Sequence, residues 1–394
     1  MTATELPPVE RLRVLRSVRA EDSVAHVADV DADFELQSEP DTTVADLLAL
    51  RNVSLYALDP EHGGVAFVET DGSEDLLAAP FLHREQRNHA VRVFRVPYAA
   101  FHAMAERVPE APAPLLVHSV GRCGSTLASS RRPATPGIAS LAEPDVFTSI
   151  EVAVADGSLD DDEATRLLRS ACRLAPHGLA PAGHRAAIKF RSEVAWIAHL
   201  VDAAVPDAGV VFMYRDARRV IESYLRVLGR RRRWSDRLAH VPGFDRLMVE
   251  RHRRRVARRG ARLERFAYVL ENCEPLEIEM RGRWGKFLIQ WLAKVHAYVA
   301  LRERRPDAAA LRYEDLVAEP ERVVGALFAH CGLPDSAVPA ALAVLDRDSQ
   351  RGTAFERGAR EAWSLSPLDE RELARTFTEC TALAGPDAVL PGTL

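Results

Sequence analysis

Ala113-Pro114-Leu115-Leu116-Val117-His118-Ser119-Val120-Gly121-Arg122-Cys123-Gly124-Ser125-Thr126-Leu127 is the stretch that decides the fold. A short apolar run entered through prolines has the composition of a buried parallel strand. It empties into a glycine turn, and the Ser and Thr that follow are residues that start helices. The order is strand, anion loop, helix N-terminus. Gly121 and Gly124 let the backbone turn tightly and bring its amides near a ligand. Free N–H groups at a helix start favour phosphate or sulfate. Arg122 adds a permanent positive charge beside the Ser125 and Thr126 hydroxyls. Taken alone, the stretch also fits an ordinary glycine turn after a core strand. It is not a Walker loop, whose glycines stand further apart and which ends in Gly-Lys-Ser/Thr; here no lysine precedes Ser125.

Downstream, apolar runs alternate with segments of helical spacing. Ile138 to Ala142, Ala186 to Phe190 and Val210 to Tyr214 read as strands. Asp160 to Arg173 and Glu193 to Ala203 read as helices, and Arg215-Asp216 open another. This alternation predicts a parallel sheet with helices on both faces, whose ligands gather beyond the carboxyl ends of the strands. Arg122, Lys189 and Arg215 all stand at or just past such ends. Upstream, Val9 to Arg19 looks helical and Thr43 to Leu50 fits a short helix. Val53 to Leu58, Gly64 to Glu69 and Val91 to Val96 read as strands, and Tyr98 to Arg107 as a helix. The expectation is a small α/β accessory domain over residues 1–110, without a catalytic constellation. A proline-rich linker, Pro109-Glu110-Ala111-Pro112-Ala113-Pro114, leads from it into a main domain over 111–394.

The chain has 394 residues and 47% apolar content, enough for a substantial core. Its net charge of −5 argues against a general binder of polyanions. Lys189, Lys286 and Lys294 are the only three lysines, so arginine carries nearly all the positive charge. The cysteines, Cys123, Cys172, Cys273, Cys331 and Cys380, are odd in number, scattered and without a CxxC pair. They are expected to stay unpaired in a reducing compartment and to form no zinc site. Met1 to Glu5 lacks the charged and apolar regions of a signal peptide. No apolar run reaches membrane-spanning length, and a soluble cytoplasmic protein is the expectation.

Phe212-Met213-Tyr214-Arg215-Asp216-Ala217-Arg218-Arg219-Val220-Ile221-Glu222-Ser223-Tyr224 is a second signature. Arg215 and Ser223 stand eight residues apart across a helix start, one guanidinium and one hydroxyl to clamp a second phosphate. With both stretches in view, the chain resembles the sulfotransferases that use 3′-phosphoadenosine 5′-phosphosulfate (PAPS), nearer the bacterial and tyrosylprotein types than the cytosolic phenol and steroid type. The resemblance covers residues 112 to 360. It implies a P-loop-like three-layer α/β fold, with a central parallel sheet flanked by helices. It also implies that Gly121, Arg122, Cys123, Gly124, Ser125 and Thr126 hold the 5′-phosphosulfate, while Arg215 and Ser223 hold the 3′-phosphate. Leu311-Arg312-Tyr313-Glu314-Asp315-Leu316 and the helix around Trp291 to Tyr298 look like later family segments with a structural role. Cys123 stands where bacterial relatives usually have Ser. Ala128-Ser129-Ser130-Arg131-Arg132-Pro133 replaces a leucine-rich helix.

The reaction so implied is in-line, metal-free transfer of a sulfuryl group from PAPS to an acceptor hydroxyl. Arg122 and Lys189 would neutralise charge on the bridging oxygen. A lysine at the end of a buried strand needs an anion to meet. Glu143, twenty-one residues after Arg122 and just past the strand 138–142, is the expected general base; the resemblance to the tyrosylprotein type supports it. The competing role is a carboxylate that only pairs with one of the cations. His118 and Asp145 are the next candidates for the base. The alternatives are a weak or inactive nucleotide-binding protein of the same fold, or a P-loop phosphoryl transferase, which the missing Walker lysine opposes. Residues 226 to 265 hold fifteen arginines against Asp236, Asp245, Glu250 and Glu264. The solvated face of an amphipathic helix is preferred there, ahead of an electrostatic funnel for anions. Nucleic acid comes last, since no aromatic platform accompanies the charge. The expected partner is a small-molecule, carbohydrate or peptide hydroxyl, with acceptor identity and oligomeric state open.

Overall fold

Strand-forming alternation dominates the start of the chain in the computed structural model, which describes residues 6–21, 26–123, 136–228, 270, 272–282, 284–345 and 364–394. Val9–Ser17 (β1), Phe34–Thr42 (β2), Val53–Asp59 (β3), Gly64–Thr70 (β4) and Ala90–Pro97 (β5) form an antiparallel sheet in the order β2-β1-β5-β4-β3. The helix expected over Val9 to Arg19 is therefore a strand. Its helical look came from Val9 and Leu12, which belong to two different core clusters. In a strand, residues three apart point to opposite faces. A sheet buried on both faces thus mimics helical spacing. The short helix Val44–Ala49 forms as expected, with Asp46 N donating to the Thr43 hydroxyl at 3.1 Å, and Tyr98–Arg107 is helical.

A second sheet holds Leu115–Ser119 (β6), Ile138–Ala142 (β7), Arg185–Lys189 (β8), Gly209–Tyr214 (β9) and Ala309–Arg312 (β10). It is parallel, in the order β10-β9-β6-β8-β7, and helices flank it. The α/β class and the alternation read from residue 114 onward are thus present. Val146–Asp156 is a helix the sequence reading left out, and Asp161–Leu174 follows with Asp160 accepting from Glu163 N at 2.8 Å. The helix expected at Glu193 begins as a 3₁₀ turn, Ser192–Ile197, and becomes α-helical over Ala198–Ala204.

The chain packs as two compact units, with the division falling within β6 and β9. The first holds Met1–His118, Thr126–Val211 and Phe328–Ser349; the second holds Ser119–Ser125, Phe212–Leu327 and Gln350–Leu394. In the first unit one apolar core joins Phe67, Phe94 and Phe101 of the N-terminal region to Phe147, Leu168, Ile188 and Val201. In the second unit the Phe212 and Tyr298 rings stack at 4.7 Å. The helix Pro367–Cys380 opens on a capping box between Ser366 and Asp369. Cys273 and Cys380 form a disulfide, with their Cα atoms 5.4 Å apart. The expectation of unpaired cysteines is corrected here. Spacing along the chain does not show that folding brings two distant thiols within bonding reach. Among the described residues no helix is long and apolar enough to cross a membrane.

Candidate functional site

In the first unit, the β7–β8 register sets Ala142 against Lys189. The chain past β7 stays on β8, because Glu143 N donates to the Lys189 carbonyl at 2.8 Å. Lys189 Nζ donates to the Glu143 carboxylate. Two residues further along, Arg191 Nη1 donates to both Asp145 oxygens at 3.0 and 3.2 Å. The two strand ends therefore carry two acids and two cations in matching order. Asp145 also accepts from Ala28 N at 2.6 Å. Burial alone would raise its pKa, but Arg191 and His83 beside it and the Ala28 amide hold it below the usual carboxylate range. Arg191 shifts upward: burial opposes its charge, and Asp145, Glu193 and Glu143 overcome that. This second pair is a feature that sequence reasoning missed. The signal was the repeat of acids at 143 and 145 and of cations at 189 and 191.

The three candidate bases separate by surroundings. His118 is 2% exposed, lies 4.9 Å from the Phe190 ring, and burial pushes its pKa down to about 4. Asp145 is fully enclosed and already engaged. Only Glu143 keeps a partly open carboxylate, with 17% of its side chain exposed. Its backbone is left-handed, φ 58°. Among the described non-glycine residues only Asn52, Arg122 and Glu143 have positive φ. Such strain in a bulky residue persists only where its surroundings impose it.

In the second unit, the chain leaves β6 with Val120 N donating to the Met213 carbonyl at 3.1 Å. It then turns through two consecutive left-handed residues, Gly121 (φ 78°) and Arg122 (φ 55°). Cys123, fully buried, follows. Gly124, Ser125 and Thr126 lie outside the described residues, as does the basic run from 229 to 265. The turn aims Arg122 at the helix Ala217–Leu228, where its Nε donates to Ser223 Oγ at 2.9 Å. Arg215 Nη1 donates to the Arg122 carbonyl at 3.4 Å. Burial lowers the Arg122 pKa; Tyr224 opposes that, while Arg226 and Arg215 add like-charge repulsion. The loop arginine, the clamp arginine and the clamp hydroxyl are thus brought together. Asp216 caps the helix instead, accepting from Arg219 N at 3.0 Å.

Among the described residues one set of metal-type ligands lies together, Asp31, Asp59 and His62. Arg95 donates to Asp59 at 2.8 Å and to Asp31 at 2.6 Å, so those carboxylates already have a counter-charge. No family model matches this chain, and no curated protein matches it.

Proposed function

We propose that this protein is a PAPS-dependent sulfotransferase, moving a sulfuryl group in line to an acceptor hydroxyl without a metal. One observation carries the reading: Arg122 and Ser223, 101 residues apart in sequence, meet at 2.9 Å with Arg215 on the same loop carbonyl. Three residues assigned to one donor from separate stretches have little reason to converge otherwise. Like-charged guanidiniums held together in a partly buried setting favour a multiply charged anion. Arg215 fits that role, because its Nε is buried and has no hydrogen-bond partner among the described residues. In this reading β6, the loop and the following residues act as a P-loop-like anion cradle, and residues 1–110, packed on the first unit's core, play an accessory role. PAPS supplies the activated sulfuryl group. Arg215 and Ser223 bind the 3′-phosphate, Arg122 and Lys189 offset charge on the leaving oxygen, and Glu143 takes the acceptor proton.

A non-catalytic nucleotide-binding protein is the second reading, favoured by Lys189 already being paired with Glu143. The two part on variants. Glu143→Gln and Lys189→Ala keep binding of adenosine 3′,5′-bisphosphate (PAP) under either reading, and abolish PAPS consumption only under the first. The donor site itself is tested by thermal shift. PAP stabilises the protein through native-state binding, AMP much less, and Arg215→Ala or Ser223→Ala narrows that gap. Equal stabilisation by PAP and AMP in the unaltered protein refutes a 3′-phosphate site.

A further inference from the structure

The segment Tyr313-Glu314 looked structural in the sequence, yet it closes around Arg215. The helix Tyr313–Ala318 starts directly after β10, so its first two side chains emerge at a strand end. The Arg215 guanidinium lies over the Tyr313 ring at 4.5 Å from its centre. Arg215 Nε stands 3.8 Å from Glu314 Oε1, and that same oxygen accepts from Asp216 N at 3.3 Å. Arg312 Nε approaches the other Glu314 oxygen at 3.7 Å. The main chain is held as firmly. Trp291 Nε1 donates to the Arg215 carbonyl at 2.9 Å, and Ala217 N to the Pro386 carbonyl at 2.8 Å.

We propose that Tyr313 positions the Arg215 guanidinium for the 3′-phosphate and that Glu314 moderates the pull of this clamp on a doubly charged phosphomonoester. The ring fixes the plane of the guanidinium, which is flat and presents its donors in a rigid fork. The carboxylate works against the clamp: attraction to Arg215 and Arg122 and repulsion from Glu314 both scale with ligand charge, so Glu314 costs a dianion about twice what it costs a monoanion. The inference rests on the reading above, which gives Arg215 the 3′-phosphate.

The test is calorimetric titration at one pH of PAP, AMP, 3′-AMP and 2′,3′-cyclic AMP, the last two being a dianionic ester and a monoanionic diester at the same ribose edge. Tyr313→Leu is expected to lower PAP affinity about fivefold with AMP binding unchanged, while Tyr313→Phe, which keeps the ring, stays near the unaltered protein. A merely structural Tyr313 would weaken PAP and AMP alike and leave their ratio standing. Glu314→Gln is expected to strengthen 3′-AMP more than 2′,3′-cyclic AMP, widening the preference between them; an unchanged or narrowed preference overturns the part given to Glu314, and this arm decides if Tyr313→Leu does not fold. If Arg215→Ala lowers the PAP-to-AMP ratio while Tyr313→Leu does not, the positioning role is refuted and the donor reading stands. If Arg215→Ala leaves the ratio unchanged, both fall.

Discussion

The Glu143–Lys189 pair permits a quantitative test. Lys189 has 3% of its side chain exposed and Glu143 has 17%. Removing Glu143 leaves an ammonium that cannot rehydrate, whereas removing Lys189 leaves a carboxylate with a route to water. The two single substitutions should therefore be unequal. Glu143→Gln is expected to cost about 3 kcal/mol and Lys189→Met about 2 kcal/mol, both set below or at the low end of the range for breaking a buried pair because of that residual exposure. The double variant removes both charges and is expected to cost about 3 kcal/mol, a coupling of about 2 kcal/mol between neighbours that share one interaction. Urea unfolding followed by circular dichroism reads this from transition midpoints at constant slope. Because the chain has two compact units, the transition assigned to the first unit is the one compared. Additive costs, or a larger loss for Lys189→Met than for Glu143→Gln, would refute the buried-pair account.

Gly178 has φ +77°, and an added Cβ would run into the Val53 carbonyl; Gly178→Ala is expected to destabilise by about 2–4 kcal/mol, read as a lowered urea midpoint. Burial pushes the pKa of His26 and His118 down to about 4 and lowers that of His83. Below the ordinary value the unfolded chain binds protons that the folded one refuses, so stability is full above pH 6.5 and falls toward pH 4, with fully buried His118 alone contributing about 1.4 kcal/mol per pH unit; an unchanged urea midpoint from pH 7 to 5 contradicts this. The disulfide between Cys273 and Cys380 predicts three alkylatable thiols in the denatured, unreduced protein against five after reduction, counted by intact mass. Five without reduction removes the bond and restores the expectation of unpaired cysteines. Cys273→Ser is expected to cost about 2–4 kcal/mol under oxidising conditions and nothing beyond the unaltered protein's own loss under reductant.

Local pattern made much of this protein legible. The runs at 115–119, 138–142, 185–189 and 209–214 are strands because continuous apolar stretches bounded by turn residues have few other uses. Arg122, Arg215 and Ser223 were found by spacing, since a strand end and two helix turns are short-range objects. What neighbours cannot report is which edges meet. The strand order is not sequential: β8 lies between β6 and β7. That order alone hands Glu143 to Lys189 and Asp145 to Arg191. Burial on both faces turned β1's alternation into apparent helical spacing. The Cys273–Cys380 bond and the Tyr313 ring under Arg215 join residues about a hundred positions apart. Sequence by itself therefore determined those four strands and the chemical identity of the candidate groups, because both follow from local periodicity and residue type. Tertiary structure alone decided their partners, because a charge buried at a strand end is met by whichever side chain the neighbouring strand brings alongside it.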